Sequence, residues 1–390
     1  MKPEVSSLLS PFSFVLPTAI RFGRGIIHSL PSEISAQGLK RALIITDAGV
    51  SALPLFKKIV EDLHTRGIFV RVYDGVEANP KDRNVQAGAE EAHKTEADCL
   101  IAIGGGSPID CAKAVTVLAV QGGSVRDYEG GAGIETTPLP LYTVPTTAGT
   151  GSEITFSSVI TDTQDNFKFT VKSPSIAPKT AFIDPEATLS MPPALTASTG
   201  LDALTHAVEA YTAGNAEPIA DATALYAVEL ISSYLLPAVR DGSNPEARAA
   251  MLTGSLLAGM AFSHSDVAAV HCLAEALGGI YDAPHGECNA IALPVIMEYN
   301  MEFAQERYAR IAASMGLSYS DPKEGARLAV EKIRSLTEDA GLPSFRSLGV
   351  KKEDFEVLAG MSVQNGSNAN NPRPMEKEDY LEVLRRLYEQ

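Results

Sequence analysis

An aspartate and a histidine lie four residues apart in an otherwise apolar stretch, GLDALTHAVEAY (200–211). Four residues is about one helical turn, so Asp202 and His206 should lie on one face of a helix, one above the other. Such a pair is either a buried hydrogen bond in the core or one half of a metal site. A metal site would need further ligands along the chain.

Further ligands are available, because four of the seven histidines fall between residues 206 and 285. They are His206, His264, His271 and His285. One carboxylate and several imidazoles form a ligand set suited to Fe²⁺, Zn²⁺, Mn²⁺ or Ni²⁺. A lone buried histidine is more often an ordinary core residue, so it is the spacing that favours a metal.

A glycine-rich loop in the N-terminal half could bind phosphate. The stretch LIAIGGGSPIDCAK (100–113) begins as a buried-strand pattern and runs through Gly105, Gly106 and Ser107 into a helix opened by Pro108. Glycine lets the main chain approach a diphosphate closely, and the free N–H groups at a helix start favour negative charge. The loop lacks the GxGxxG spacing, so by itself it is equally typical of an ordinary turn.

A second loop of this kind follows another strand pattern. VPTTAGTGSE (144–153) carries Thr146, Thr147 and Thr150, whose short hydroxyl groups suit phosphate and ribose oxygens. Two such loops, each at the carboxyl end of a strand, favour a dinucleotide that lies across the edge of an open sheet.

The choice between the two nicotinamide dinucleotides depends on Asp47, which ends the strand pattern RALIITD. A carboxylate at this position can accept hydrogen bonds from the adenosine ribose and repel a 2′-phosphate. We therefore expect NAD rather than NADP. An acidic residue after a strand is also often only a turn or cap residue.

The pattern of the chain changes once along its length. Up to about residue 185, short β-rich runs such as FVRVY and DCLIAIG alternate with amphipathic helical stretches, which predicts a parallel, doubly wound sheet. Beyond IDPEATLSMPP (183–193), helical periodicity dominates. We predict an α/β dinucleotide-binding domain over residues 1–187 and an all-α metal-binding and catalytic domain over residues 188–390.

The composition of the 390 residues, 45% hydrophobic and 21% charged, is that of a soluble globular protein. The 48 acidic and 32 basic side chains give a net charge of −16, which disfavours nucleic acid and anionic membrane surfaces as partners.

The apolar stretch near the N-terminus is broken by Pro11 and Pro17, so we do not predict a signal peptide. Four cysteines without CxxC spacing fit reduced thiols. We expect a cytoplasmic protein with no membrane partner.

Four motifs occur together in this chain: GGGSPIDCAK, PTTAGTGSE, GLDALTHAVEAY and VHCLAEALGGIYDAPHGECNA. Together they resemble the iron-containing (group III) alcohol dehydrogenase family, including its lactaldehyde reductase and 1,3-propanediol dehydrogenase types. FVLPTAIRFGRG and NPRPMEKEDY are similar to the outer signatures of the family, so the resemblance covers essentially the whole chain. It implies a Rossmann-like N-terminal domain, an all-helical C-terminal domain and a catalytic cleft between them.

The resemblance also implies the site residues. The metal ligands would be Asp202, His206, His271 and His285. Fe²⁺ is the expected ion, with Zn²⁺, Mn²⁺ or Ni²⁺ as alternatives. The cofactor would be NAD, at positions that match the cofactor side of the family: Asp47, Asn79, Gly105, Gly106, Ser107, Thr146, Thr147, Thr150 and Lys168.

Two positions depart from the family pattern. Glu275 stands where the family usually has a second histidine, one turn after His271, and His264 stands where an asparagine is usual. Both lie near the expected substrate pocket, so we assign them as candidate catalytic residues. Glu275 could be a further metal ligand, a proton relay or an acceptor for a second substrate hydroxyl, or it could be an exposed carboxylate without a role.

We therefore expect a metal-dependent, NAD(H)-linked alcohol dehydrogenase or aldehyde reductase. Its partner would be a small-molecule alcohol, diol or aldehyde of the lactaldehyde and propanediol type, and the chain would form a homodimer or a larger homo-oligomer. The alternatives are a dehydroquinate-synthase-like lyase and an NAD-binding protein with an inactive site. GLDALTHAVEAY argues against the lyase, and the four intact ligand positions argue against the inactive protein.

Overall fold

The computed structural model describes residues 11–165 and 167–390. The chain divides into two compact units. The N-terminal unit comprises Leu16–Thr147 and Ser152–Met191, and the C-terminal unit comprises Ala148–Gly151, Pro192–Gln390 and the segment that ends at Val15. The change between the units after Met191 lies close to the predicted boundary after residue 187. That boundary stays a prediction of where two domains separate.

Eight β-strands lie within the described residues of the N-terminal unit. They are β1 (Ala19–Phe22), β2 (Arg41–Ile45), β3 (Phe69–Tyr73), β4 (Cys99–Gly104), β5 (Leu141–Pro145), β6 (Ser157–Asp162), β7 (Phe167–Lys172) and β8 (Thr180–Ile183). Six of them form one sheet in the order β1-β8-β5-β4-β2-β3, in which all neighbouring strands run parallel. β6 and β7 form a separate antiparallel pair. The predicted parallel sheet is confirmed.

Helices pack on both faces of this sheet. They are α1 (Leu30–Ala36), α2 (Ala48–Ser51), α3 (Pro54–Thr65), α4 (Asp82–Thr95) and α5 (Gly106–Gln121). Successive strand residues point to opposite faces, and neighbouring residues of β2 enter different apolar clusters. Ile45 belongs to the cluster that contains Val115 of α5, whereas Ile44 belongs to the cluster that contains Ile59 of α3. The sheet is therefore doubly wound, as predicted.

The C-terminal unit is built of helices. They are α6 (Pro193–Thr212), α7 (Pro218–Arg240), α8 (Pro245–Ser265), α9 (Ala269–Tyr281), α10 (His285–Asn300), α11 (Gln305–Ser314), α12 (Pro322–Asp339), α13 (Phe355–Gln364) and α14 (Lys377–Glu389). Short 3₁₀ turns complete both units: Ile26–Ser29, Val125–Gly131, Pro174–Ile176, Pro185–Thr188, Phe345–Leu348, Lys352–Asp354 and Gly366–Asn370.

The central element of the C-terminal unit is α6, which packs against α7, α8 and α10. Nearly every residue of α6 from Thr196 onward is buried, as expected of a helix that is apolar on all sides. Polar side chains on such a helix need partners inside the protein, because an unpartnered buried polar group is costly. Asp202 and His206 are two of these side chains.

One described helix, α7, is long and apolar enough to cross a membrane, and α8 with α9 passes the same test as a pair bent by 99°. α7 packs against both α6 and α8. The core helix of a soluble protein has the same length and composition, so this feature is weak evidence of a membrane span.

Candidate metal centre and cofactor site

Three helices bring an acidic residue and three histidines together in the C-terminal unit. Asp202 and His206 lie one turn apart on α6, as predicted from their spacing. His271 lies in the first turn of α9, and His285 is the first residue of α10. All but His285 are buried.

We call three of these residues the metal cluster: Asp202, His271 and His285. Each offers a donor atom within 4.8 Å of a donor atom of the other two. Asp202 Oδ1 lies 4.0 Å from His271 Nε2 and 3.8 Å from His285 Nε2. Two ligands that each lie about 2.1 Å from one ion are at most about 4.2 Å apart, so both separations suit a shared ion. An oxygen with two imidazole nitrogens suits Fe²⁺ or Zn²⁺.

The amide of Asn289 gives an independent test of this assignment. Its Nδ2 lies 2.7 Å from Asp202 Oδ1 and 3.1 Å from Nε2 of both His271 and His285. An amide has two N–H groups, so it cannot donate to three acceptors at once. The amide oxygen of Asn289 is buried and has no hydrogen-bond partner within the described residues. Three converging lone pairs fit a divalent cation better than an amide.

His206, the fourth predicted ligand, lies beside the metal cluster rather than within it. Its ring stacks on His271 with centroids 4.5 Å apart and on Phe262 at 4.3 Å. Burial lowers the pKa of His206 to about 4, so the ring is neutral at physiological pH. Its Nδ1 is buried and makes no hydrogen bond within the described part of the chain. Ligation by His206 stays a prediction.

Glu209, one turn after His206 on α6, holds the start of α9. Its carboxylate accepts a hydrogen bond from Nδ1 of His271 at 2.6 Å and from the main-chain N–H groups of Ala268 and Val270. Burial by itself lowers the pKa of His271, but the hydrogen bond to Glu209 and the charges of Glu209 and Asp202 raise it above its usual value. The sequence reasoning did not use Glu209, although it is an acidic residue inside the same apolar motif.

A glycine allows α10 to approach α6. A Cβ at Gly286 would lie 2.5 Å from the carbonyl oxygen of Ser198 and 3.4 Å from Cβ of Asp202. Any side chain at this position would therefore push the start of α10, which carries His285, away from α6. Gly286 was also missed, because nothing in a local pattern shows that a glycine lies against a distant helix.

In the N-terminal unit, the parallel sheet places predicted cofactor residues at one edge. β3 lies on one side of β2 and β4 on the other, so the strand order reverses there. Ligands of open parallel sheets bind outside the carboxyl ends of the strands at such a reversal. Asp47 follows β2 and Gly105 follows β4.

The glycine-rich loop after β4 has no side chains at Gly105 and Gly106 that would keep a ligand away from its main chain. Gly105 is the N-cap of α5 and brings no side-chain acceptor, so the N–H groups of Gly106 and Ser107 are available to an anion. A Cβ at Gly105 would lie 3.1 Å from Thr147, so the two predicted loops lie against each other here. The N–H of Thr146 donates to the carbonyl oxygen of Gly104 at 2.9 Å.

The other cofactor candidates have their own partners. Asp47 caps α2, because its Oδ1 accepts from the N–H of Val50 at 2.9 Å. The alternative role of a cap residue is therefore present, although this bond uses one of its two oxygens. Lys168 Nζ donates to Asn79 Oδ1 at 2.8 Å, which joins two predicted positions. Thr150 belongs to Ala148–Gly151, which is part of the C-terminal unit.

Known proteins match both halves of the chain. Residues 17–185 match the description "Iron-containing alcohol dehydrogenase", and residues 196–388 match "Fe-containing alcohol dehydrogenase family, C-terminal". The chain belongs to the iron-containing alcohol dehydrogenase family. Membership confirms the predicted family, and it makes the chain an enzyme, an NAD-linked alcohol or aldehyde oxidoreductase. The lyase and the inactive binding protein are set aside.

Individual members of the family are similar over almost their full length. The chain is 41% identical to 1,3-propanediol dehydrogenase of Citrobacter freundii, over 97% of this chain and 99% of the relative. It is 38% identical to lactaldehyde reductase of Escherichia coli (strain K12), over 93% of this chain and 96% of that relative. The crystal structure of a 1,3-propanediol oxidoreductase matches with a TM-score of 0.94 at 38% identity, over 97% of this chain and 100% of that chain.

Glu275, where the family usually has a histidine, lies one turn after His271 on α9 as predicted. Its Oε2 accepts a hydrogen bond from Asn365 Nδ2 at 2.6 Å, and its charge is among those that raise the pKa of His271. The side chain is partly buried rather than fully exposed. Glu275 is not among the described residues that form the metal cluster. Its catalytic role stays a prediction.

His264, the other departure, contacts the chain near its N-terminus. Its Nδ1–H donates to the carbonyl oxygen of Met260 at 2.9 Å, which leaves Nε2 to accept from the N–H of Val15 at 3.0 Å. The ring stacks on Phe14 with centroids 3.9 Å apart. These contacts give His264 a structural role, and a catalytic role for it stays a prediction.

Proposed function

We propose that this chain is a metal-dependent enzyme that interconverts a small, neutral, hydroxylated aldehyde and the corresponding diol with NADH and NAD. The observation that carries the proposal is the metal cluster, in which a carboxylate and two imidazoles from three helices come within 4.8 Å of one another. Three such lone pairs rarely converge between packed helices unless a bound cation offsets their mutual repulsion.

Within this proposal, Asp202, His271 and His285 hold a divalent ion, and His206 supplies the fourth ligand from the adjacent ring. Fe²⁺ is the ion we propose, with Zn²⁺, Mn²⁺ and Ni²⁺ as alternatives of similar chemistry. The bound ion would act as a Lewis acid toward the substrate oxygen, while nicotinamide exchanges hydride with the substrate carbon.

The N-terminal unit holds NAD through the edge of its parallel sheet. Gly105, Gly106 and Ser107 offer main-chain N–H groups to the diphosphate. Asp47 disfavours a 2′-phosphate by charge repulsion. The remaining positions proposed for the cofactor are Asn79, Thr146, Thr147 and Lys168 of this unit, and Thr150 of the segment Ala148–Gly151.

Glu275 selects the substrate in this proposal. Its negative charge acts on His271, so a carboxylate or sulfonate on the substrate would be repelled, whereas a second hydroxyl could donate to it. The names of the two relatives, a propanediol dehydrogenase and a lactaldehyde reductase, support a small diol or hydroxyaldehyde. We assign no step to His264, because main-chain groups engage both of its ring nitrogens.

The proposed setting is the cytoplasm, where the four buried cysteines stay reduced. We further propose a homodimer or a larger homo-oligomer, which size-exclusion chromatography with light scattering would test. A monomer at working concentration would remove this part of the proposal.

The central experiment measures metal content and turnover together. Protein purified without oxygen and loaded with Fe²⁺ should reduce a neutral hydroxyaldehyde with NADH. Asp202→Ala and His271→Ala should lose metal and turnover while they keep NAD binding, measured by fluorescence quenching of NADH. His64→Ala, at an exposed histidine of α3, is the matched control and should keep all three. Full activity of a metal-free His271→Ala protein would overturn the proposal.

A further inference from the structure

The carboxylate of Glu209 is committed to the start of α9 through both of its oxygens. Oε1 accepts from the N–H of Val270 at 2.7 Å. Oε2 accepts from the N–H of Ala268 at 2.9 Å and from Nδ1–H of His271 at 2.6 Å. The residue is only 3% exposed, so these three donors take the place of water around a buried acidic group.

The bond to His271 determines which of its ring nitrogens is available to a metal. Because this carboxylate already accepts two main-chain N–H groups, it accepts from His271 as well, so Nδ1 carries a proton and Nε2 is the ring nitrogen left for a metal. Nε2 is the atom that lies 4.0 Å from Asp202 Oδ1 in the metal cluster. The same carboxylate that selects this tautomer also fixes the turn of α9 on which His271 lies.

We propose that Glu209 is a positioning residue for metal binding, which holds His271 in the tautomer and orientation that direct Nε2 into the metal cluster. The inference rests on the proposed metal centre and extends it to a residue outside the ligand set. One helix, α6, then carries Asp202 as a ligand and also the group that orients a ligand on α9. Loss of such an outer carboxylate typically weakens metal affinity by about 10- to 100-fold.

Glu209→Gln removes one acceptor without changing the size of the side chain. If the new NH₂ group faces His271, the ring must accept at Nδ1 and carry its proton on Nε2, the nitrogen that should bind the metal. If the NH₂ group faces Val270 instead, two N–H donors oppose each other in a buried place. The first arrangement takes Nε2 away from the metal, and the second displaces the start of α9, which carries His271.

Glu217 offers a matched control in the same unit. Its carboxylate accepts from the N–H groups of Ile219 at 2.8 Å and Ala220 at 2.7 Å, and thereby caps the start of α7. It is 6% exposed, close to the value for Glu209. Glu217→Gln should therefore lower the melting temperature through a lost cap, without any effect on the metal cluster.

The test is the affinity of the metal-free full chain for Zn²⁺, measured by competition with a chromophoric chelator at one pH. We expect Glu217→Gln to bind within about twofold of the wild type and Glu209→Gln to bind about 10- to 100-fold more weakly. A purely structural role would lower the melting temperature of both variants and leave both affinities alike. Affinity of Glu209→Gln within twofold of the wild type would overturn the inference.

A measurement on the wild-type protein covers the case in which Glu209→Gln does not fold. In Zn²⁺-loaded protein labelled with ¹⁵N-histidine, His271 should show a protonated Nδ1 and a metal-bound Nε2. Its signals are assigned by their loss in His271→Asn. The opposite tautomer, or metal at Nδ1, would contradict the role of Glu209.

The experiment also separates this inference from the proposed function. If the wild type binds no Zn²⁺, or if His285→Ala leaves the affinity unchanged, the metal centre itself is wrong and the role of Glu209 falls with it. If His285→Ala weakens binding while Glu209→Gln matches the wild type, only the role of Glu209 is wrong.

Discussion

Replacing Gly286 with alanine would test whether the close approach of α10 to α6 sets the metal centre. The added Cβ would lie 2.5 Å from the carbonyl oxygen of Ser198, where ordinary contacts begin at 3.4 Å. Relief therefore requires a shift of about 0.9 Å at the start of α10, next to His285. Metal–ligand distances tolerate only about 0.2 Å, so His285 could no longer share an ion with Asp202 without strain.

We expect Gly286→Ala to lose about 1–3 kcal/mol of unfolding free energy through overpacking and at least about tenfold in Zn²⁺ affinity. Denaturant unfolding and chelator competition measure the two effects separately. Gly254→Ala is the steric control, because its Cβ would lie 2.6 Å from Cγ1 of Ile231, where α8 meets α7. It should lose stability and keep its metal affinity. A folded Gly286→Ala protein that binds Zn²⁺ like the wild type would refute the reasoning.

Three further predictions concern the cofactor, the substrate and pH. Asp47→Asn keeps the cap of α2 but removes the negative charge, so the NADP-to-NAD ratio of kcat/KM should rise about tenfold. An unchanged ratio would show that Asp47 does not determine the choice of cofactor. Glu275→Gln should improve the relative kcat/KM for carboxylated aldehydes over neutral ones, and an unchanged substrate ranking would make Glu275 a bystander. Burial raises the pKa of Glu153 to about 7 from 4.5, so its proton is retained in the folded state and stability falls as pH rises from about 4.5 to 7. The free energy of unfolding of Glu153→Gln, measured with denaturant, should therefore exceed that of the wild type by roughly 3 kcal/mol at pH 8 and equal it at pH 4.5. Equal values for the two proteins at both pH values would show that this carboxyl group does not titrate as described.

Local patterns were sufficient for the secondary structure that carries the site. Asp202 and His206 could be placed on one helical face because a four-residue spacing is a property of the helix itself. The apolar run before Gly105 predicted a buried strand, since parallel strands covered on both faces are apolar almost throughout. The role of Glu275 could be posed as a question from sequence, but its bond to Asn365 joins positions 90 residues apart, and no local pattern contains it.

The sequence by itself determined the two kinds of architecture, the family and the residue types able to bind NAD and a metal, because periodicity and short motifs are written within a few neighbouring residues. Only the tertiary structure decided which donor atoms converge. It brought His271 and His285 to Asp202, kept His206 stacked beside them, and placed Glu209 behind His271. These relations depend on the packing of α6, α9 and α10, and packing is settled by the close fit of side chains that are distant in sequence.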